Sequence, residues 1–141
     1  MAIRVAQIGT GNVGVHSLTA LITNPAFDLT GVWVSSDSKA GKDAAELAGL
    51  DGTTGITATT HLDAVLATEP QCVVYNAMAD NRLVEALEDY RRILAAGVNI
   101  VGSGPVFLQW PWQVIPDEMI KPLEDAAREG NSSLYVNGID P

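Results

Sequence analysis

The sequence predicts an α/β chain built on a doubly wound parallel sheet of about six strands. Three observations carry that expectation. Short apolar runs alternate with segments of helical periodicity from end to end. Every strand-like run but the last is followed by a helix or helical turn. A glycine-rich turn, Gly9-Thr10-Gly11-Asn12-Val13-Gly14, stands between the first strand and the first helix. Strands that alternate with helices imply parallel βαβ crossovers, and these pack as an open sheet covered on both faces.

The elements follow in order. Ile3–Ile8 is the first strand. Asn12–Thr23 reads as a helix, with apolar residues at Val13, Leu18, Leu21 and Ile22, and Asn24-Pro25 stops it. Proline removes a donor and restricts the residue before it. Leu29–Val34 is the second strand, and Gly41–Ala48 is a short helix closed by Gly49. The turn-rich loop Asp51–Gly55 precedes a short strand at Ile56–Thr59. Leu62–Ala67 is a helical turn or two, stopped by Pro70. Cys72–Asn76 is a strong strand. Leu83–Ala96 is the longest helix, with Leu83, Leu87, Tyr90 and Leu94 on one face and Gly97 at its end. Val98–Val101 is a strand, Glu118–Arg128 a helix that Pro122 starts or disturbs, and Ser133–Val136 the last strand.

Composition bounds the function. A chain of 141 residues with 47% apolar and 18% charged residues is a globular domain with a core of its own. We find no internal repeat, low-complexity segment or linker, so residues 1–141 are expected to form one domain. The net charge of −9 argues against a nucleic-acid partner, which needs a basic face. No apolar run approaches the ~20 residues of a membrane span. The N-terminus starts a strand pattern and not a signal peptide, and the single cysteine, Cys72, lies in an apolar strand as a buried thiol. A soluble protein in a reducing, cytoplasmic compartment is expected.

The glycine turn has the G-x-G-x-x-G spacing in the strand-turn-helix context that gives it meaning, which makes the predicted fold Rossmann-type. Gly9 allows the tight turn, Gly11 lets a pyrophosphate approach the backbone, and Gly14 lets the helix pack closely on the sheet. Amides around Thr10, Asn12 and Val13 then face the negative charge with the helix dipole behind them. A methyltransferase-like loop usually carries an acid just before the glycines, where this chain has Gln7-Ile8; a Walker-type loop needs a Gly-Lys-Ser/Thr, which is absent.

The choice of dinucleotide falls at the end of the second strand, ~20 residues past the glycines. The residues there are Val34-Ser35-Ser36-Asp37-Ser38-Lys39. The hydroxyls of Ser35 and Ser36 can donate to a 2′-phosphate, and Lys39 or Lys42 can supply charge. Asp37 lies further out and can still chelate a ribose. NADP is favoured slightly over NAD. Later strand ends add Asn76 and Ala77, Gly102 and Ser103, and Asn137 in Asn137-Gly138-Ile139-Asp140. Small residues there let a nicotinamide lie close to backbone, and Asn76, Ser103 and Asn137 can hydrogen-bond its ribose or carboxamide. Turn chemistry accounts for each of these residues singly. Two tryptophans and a phenylalanine in Val106–Trp112 make either a loop folded onto the core, an apolar wall beside the nicotinamide, or a seat for another domain. His16 and His61 lie in no ligand cluster, no metal-site spacing is present, and no catalytic acid or base can be named.

Several segments together resemble a family. They are Val5–Gly14, Lys39–Ala44, Ala95–Val101, Trp110-Pro111-Trp112 and Asn137–Pro141. The chain resembles the N-terminal nucleotide-binding domain of the dihydrodipicolinate reductase-like superfamily, and more closely its 2,4-diaminopentanoate and amine dehydrogenase branch of actinobacterial type. The resemblance implies NAD(P)H-dependent hydride transfer to or from a C=N type substrate. It also implies a C-terminal domain that binds substrate and makes a homo-oligomer, expected to lie beyond Pro141, so that this fragment alone is inactive. In the amine dehydrogenase branch an acidic residue soon after the fifth strand serves the amine chemistry. Val101–Trp112 contains none, and Asp117 and Glu118 are the first acids after it. The other functional class open to the sequence is a sensor or regulatory module that binds NAD(P) and catalyses nothing.

Overall fold

The computed structural model describes residues 1–79 and 81–137. Asp80 and residues 138–141 lie outside them, and with them the expectations placed on Gly138, Ile139 and Asp140. The strands are β1 (Ile3–Ile8), β2 (Phe27–Trp33), β3 (Ala58–Thr59), β4 (Cys72–Tyr75), β5 (Asn99–Gly102) and β6 (Leu134–Val136). The helices are α1 (Asn12–Thr23), α2 (Ala44–Leu47), α3 (Leu62–Leu66), α4 (Leu83–Ala95) and α5 (Asp117–Gly130), with a 3-10 turn over Val106–Gln109. The sheet has six strands in the order β3-β2-β1-β4-β5-β6, the doubly wound arrangement expected of a Rossmann-type fold. By proximity the chain divides into Met1–Ala77 and Met78–Pro141.

In the first region β1 pairs in parallel with β2 on one side and with β4 on the other. The strand order therefore reverses direction at β1. Leu18 of α1, Val32 and Val34 at the end of β2, Ala44 of α2 and Ala58 of β3 form one buried cluster, with Ile22, Leu29 and Leu47 packed around it. On α3, Leu62 and Val65 are buried; a Cβ on Gly31 of β2 would meet Val65 Cγ1 at 3.4 Å. That glycine lets α3 lie close to the sheet.

Two elements are shorter than the sequence predicts by more than a single residue, and for one reason. Strand β3 was expected over Ile56–Thr59 and the helix before it over Gly41–Ala48. Instead Asp43 and Thr57 form an antiparallel bridge. The Ala44 amide donates to the Ile56 carbonyl at 2.8 Å and the Ala58 amide to the Lys42 carbonyl at 2.9 Å. Backbone groups committed to that ladder cannot serve a helix or a parallel strand. Asp43 then caps α2, accepting from the Ala45 amide at 2.8 Å. Its carboxylate also accepts from the Thr54 amide and hydroxyl and from the Gly55 amide, each at 2.9 Å. Cys72, expected to be buried, is half-buried.

In the second region β5 and β6 pair in parallel, Val101 opposite Tyr135. Helices α4 and α5 meet backbone to backbone. A Cβ on Gly130 would stand 1.9 Å from the Leu94 carbonyl oxygen, and Ser132 Oγ donates to that oxygen at 2.7 Å. The buried face of α4 is Ala86, Tyr90, Ile93 and Leu94, displaced from the predicted Leu83–Leu87–Tyr90–Leu94 line toward the small residue. Pro122 lies inside α5. The helix tolerates it because Ile120, Leu123 and Ala126 form a buried stripe and Asn131 closes the end at φ 50°.

Candidate functional site

The strand order reverses at β1, which puts the topological switch point at the carboxyl ends of β1 and β4, the place where open α/β sheets bind ligands. The glycine turn opens there, and its three glycines have different reasons. Gly9 sits at φ +96°, and a Cβ on it would lie 2.7 Å from the Ala77 amide nitrogen. Gly14 looks back at the turn from within α1, and its Cβ would lie 2.2 Å from the Gly9 carbonyl oxygen. Both are required by the protein's own packing. Nothing lies within 4 Å of where a Cβ on Gly11 would stand. Gly11 is also the N-cap of α1 and carries no side chain to cap it. The first helical bond runs from Val15 to the Gly11 carbonyl at 2.9 Å, so the amides of Asn12, Val13 and Gly14 precede it. Uncapped first-turn amides at the positive end of a helix of this length suit an anion. Val13, counted among the apolar helix residues, is exposed at this end.

Neighbouring strand ends are tied to the turn. The Gly9 amide donates to the Trp33 carbonyl at 2.9 Å, and the Asn76 amide to the Ile8 carbonyl at 2.8 Å. Lys39 reaches back from beyond β2: its Nζ donates to the Thr10 carbonyl at 3.1 Å and to Thr10 Oγ1 at 3.2 Å. Thr10 is buried. The lysine therefore places its charge on the glycine turn itself. Ser36 Oγ lies 2.6 Å from Ser38 Oγ, and Ser35 is exposed. Of the residues singled out by sequence, the first region thus brings together Gly9, Thr10, Gly11, Asn12, Val13, Gly14, Lys39, Asn76 and Ala77. Lys42 stands apart, 3.9 Å from Glu46 on the surface of α2.

Sequence reasoning assigned no role to Gln7. It is fully buried in β1, and its Nε2 donates to the Gly9 carbonyl and to Asn76 Oδ1, both at 2.9 Å. The signal was available as a carboxamide within an otherwise apolar run ahead of the glycines.

In the second region Gly102 is buried against Tyr90, whose hydroxyl would stand 2.8 Å from a Cβ there and donates to the Gly104 carbonyl. The Asn137 amide donates to the Gly102 carbonyl at 3.1 Å, and Gln109 Nε2 donates to the Asn137 carbonyl at 2.9 Å. Ser103 is half-buried between them in sequence. Trp110 and Trp112 are exposed, with rings edge-to-face at 5.1 Å, and Trp112 Nε1 donates to Glu124 Oε1 at 3.2 Å. They are not folded onto the core. Among the described residues no group of three His, Cys, Asp or Glu side chains could hold a metal, and no helix is long and apolar enough to cross a membrane.

No family model matches the chain. An amine dehydrogenase of Streptomyces virginiae is 40% identical over 133 residues, which is 94% of this chain and 37% of that protein. The chain is homologous to amine dehydrogenase over that stretch. It spans little more than a third of the relative's length. Among solved structures, the amine dehydrogenase of Mycobacterium smegmatis superposes with a TM-score of 0.81 at 24% identity, over 95% of this chain and 38% of that one. GenD2 of gentamicin A biosynthesis, in complex with NAD, gives 0.67 at 25% identity over 96% and 34%. Biliverdin reductase of Synechocystis, with biliverdin and NADP+, gives 0.67 at 23% over 95% and 37%. The last two likenesses share the fold of nicotinamide-dinucleotide proteins.

Proposed function

We propose that this chain is the dinucleotide-binding domain of an NAD(P)-dependent oxidoreductase acting on a C=N type substrate, working with a further domain that supplies substrate-binding groups. The observation that carries the cofactor reading is the difference among the glycines. Gly9 and Gly14 are forced by internal contacts, whereas the space over Gly11 is open at a helix N-terminus. A pyrophosphate fits that space and accepts from the first-turn amides. When bound, the cofactor supplies the hydride; Gly11, Asn12 and Val13 hold its phosphates. Asn76 and Ala77 at the end of β4 are proposed for its nicotinamide half, and Gly102, Ser103 and Asn137 are the cofactor contacts proposed within the second region by itself. The homology to amine dehydrogenase favours C=N chemistry over other hydride acceptors.

Lys39 supports use of NADPH. Its ammonium is held at the glycine turn by the Thr10 carbonyl and hydroxyl, where it can meet a phosphate of the cofactor. A charge-assisted hydrogen bond contributes roughly 1.5–3 kcal/mol before solvent exposure is discounted.

The test is a titration of NADH and NADPH against tryptophan fluorescence. Gly11→Val fills the open space and is expected to raise both dissociation constants by about tenfold or more. An unchanged constant refutes the site. Lys39→Ala is expected to weaken NADPH by a larger factor than NADH; equal losses would give the lysine to the pyrophosphate alone. An NADPH-oxidation assay on cyclic imines and ketone-plus-ammonia mixtures, with this chain joined to the proposed further domain, separates an enzyme from a sensor. A full-length protein that binds NADPH and never oxidises it favours the sensor.

A further inference from the structure

Lys39 is bonded unlike the chain's other lysines. Lys42 stands 3.9 Å from the Glu46 carboxylate and Lys121 3.3 Å from that of Asp125, both exposed. No carboxylate among the described residues pairs with Lys39. Its Nζ donates instead to two neutral oxygens of one residue, the Thr10 carbonyl at 3.1 Å and Thr10 Oγ1 at 3.2 Å. In a chain of net charge −9 an acidic partner is easy to supply, and none is used here. The ammonium is held and its charge is not neutralised.

Holding it has a cost, because a lysine gives up more side-chain freedom than most residues when it is fixed. Both ends of the side chain are nevertheless set. At its base, Ser36 Oγ accepts from the Ser38 amide at 3.2 Å and the Ser36 carbonyl from the Lys39 amide at 3.1 Å. At its tip is Thr10, buried and 29 positions away along the chain. The glycine turn starts beside the end of β2, since the Gly9 amide donates to the Trp33 carbonyl at 2.9 Å. An ammonium has three N–H donors and no acceptor. Thr10 takes two of them. Tetrahedral geometry turns the third off Thr10, and among the described residues no group accepts it. The residue after Thr10 is Gly11, over which the space is open.

We infer that Thr10 is a positioning residue for Lys39: its hydroxyl and carbonyl hold the ammonium on the glycine turn, so that a phosphate group of the cofactor meets a charge already in place. The inference rests on the cofactor reading given above. Its specific content is that the Thr10 hydroxyl acts on the ligand only through the lysine. Ordering the side chain when the protein folds spares that ordering when the ligand binds. The phosphate can belong to the pyrophosphate or to a ribose 2′ position; the chemistry that the lysine reads is the same.

Calorimetric titration of the chain with ADP, which carries a pyrophosphate, and with adenosine 2′,5′-bisphosphate, which carries a 2′-phosphate, tests it. Thr10→Val keeps the shape of the buried side chain and removes the hydroxyl. It is expected to weaken at least one of the two ligands by about three- to tenfold, the penalty for ordering one long side chain on binding. Thr10→Ser keeps the oxygen and should recover most of that loss. The decisive measurement is the pair: with Lys39→Ala already in place, Thr10→Val should cause no further loss. The ligand that responds tells which phosphate the lysine meets, and a response in either supports the inference. If Thr10→Val does not fold, Thr10→Ala makes the same deletion and decides in its place. A loss from Thr10→Val that is as large without Lys39 as with it would overturn the inference and leave Thr10 as packing of the turn. Unchanged affinity for both ligands would overturn it too while sparing the phosphate site. A parent chain that binds neither ligand would remove the cofactor reading and this inference together.

Discussion

The two regions of the chain spend their polar and apolar side chains differently. In Met1–Ala77 the polar groups are spent on backbone: Gln7 on Gly9, Lys39 on Thr10, Asp43 on Ala45, Thr54 and Gly55, and Trp33 Nε1 on the Thr60 carbonyl at 3.0 Å. Such bonds fix where loops go, because a backbone atom cannot swing away as a side chain can. In Met78–Asn137 the charged groups are spent on one another along helix surfaces. Glu88 pairs with Arg91, Lys121 with Asp125 at 3.3 Å, and Glu124 with Arg128 at 3.4 Å. Exposed pairs of that kind contribute ~0–1 kcal/mol and specify little. Apolar side chains follow the same division. The first region gathers Leu18, Val32 and Val34 inside, whereas the second leaves Val101, Trp110, Trp112 and Tyr135 in solvent. The second region also fixes its strand ends on backbone, through Tyr90 on the Gly104 carbonyl and Gln109 on the Asn137 carbonyl, but it carries more aromatic surface in solvent.

The largest expected contrast is between Leu18→Ala and Tyr135→Ala. Leu18 is fully buried in the first region's cluster, and removing it should destabilise the protein by about 2–5 kcal/mol through lost burial and a residual cavity. Tyr135 lies on the exposed side of β6, and its removal should stay within about 0.5 kcal/mol. Urea unfolding of both variants measures the contrast. A Tyr135 loss as large as that of Leu18 would mean the exposed face is covered in solution, and the division between the regions would fail.

A smaller contrast lies in the response to acid. Amides and a hydroxyl hold the Asp43 carboxylate, first those of Thr54 and then that of Ala45, and lower its pKa from 3.8 to about 2. Glu88 is also lowered, by the hydrogen bond and charge of the Arg91 guanidinium. A depressed carboxyl favours the folded state at pH values above its unfolded pKa. Between about pH 4 and 2 the unfolded chain binds the extra proton, so stability falls with pH there and the contribution is gone below about 2. Melting temperatures of the parent and Asp43→Asn should therefore differ most at pH 5 and converge toward pH 2. Salt should leave the Asp43 difference in place, since its partners are local amides, and should erode that of Glu88→Gln, since exposed charges are screened. A difference that does not change with pH would show that the Asp43 carboxylate is not held as described.

What was legible in the sequence divides within the first region itself. Asn12–Thr23 and Ile3–Ile8 were readable to the residue, because period, glycine turn and Asn24-Pro25 stop agree there. Gly9, Gly11 and Gly14 were legible as a motif with a separate reason for each, and the contacts around them differ in the same way. The shortening of α2 and β3 was not legible, because it depends on an antiparallel bridge between Asp43 and Thr57 that no local pattern announces. Gln7 was hidden for a related reason: its meaning lies in Asn76, 69 residues away along the chain. Lys39 could be seen as a charge near the second strand, but its partner Thr10 is again a long-range contact. Local periodicity writes elements into a sequence; bonds between strand ends are written only by the fold.

The smallest expected effect is the one that tests what the second region's surface is for. Trp33 and Trp110 offer a direct pairing. Trp33 is half-buried at the end of β2 with its indole nitrogen satisfied by Thr60, while Trp110 is 68% exposed and touches Trp112 edge-to-face. An aromatic pair contributes ~0.5–1.5 kcal/mol when well packed, and solvent on most of the Trp110 ring places it at the low end. Trp110→Ala should therefore change unfolding free energy by less than about 1 kcal/mol, where Trp33→Ala should cost about 3 kcal/mol. Two neighbouring exposed aromatic rings make an apolar patch, and its cover in solution is measurable. The quenching of tryptophan emission by acrylamide supplies the check. In the isolated chain Trp110 and Trp112 should be quenched readily and Trp33 poorly. Joined to a further domain, the Trp110 contribution should become protected if that surface is a domain seat. Equal accessibility of Trp110 in both forms would leave its ring to the ligand or to neither, and a Trp110→Ala loss matching that of Trp33→Ala would show that the loop is part of the core after all.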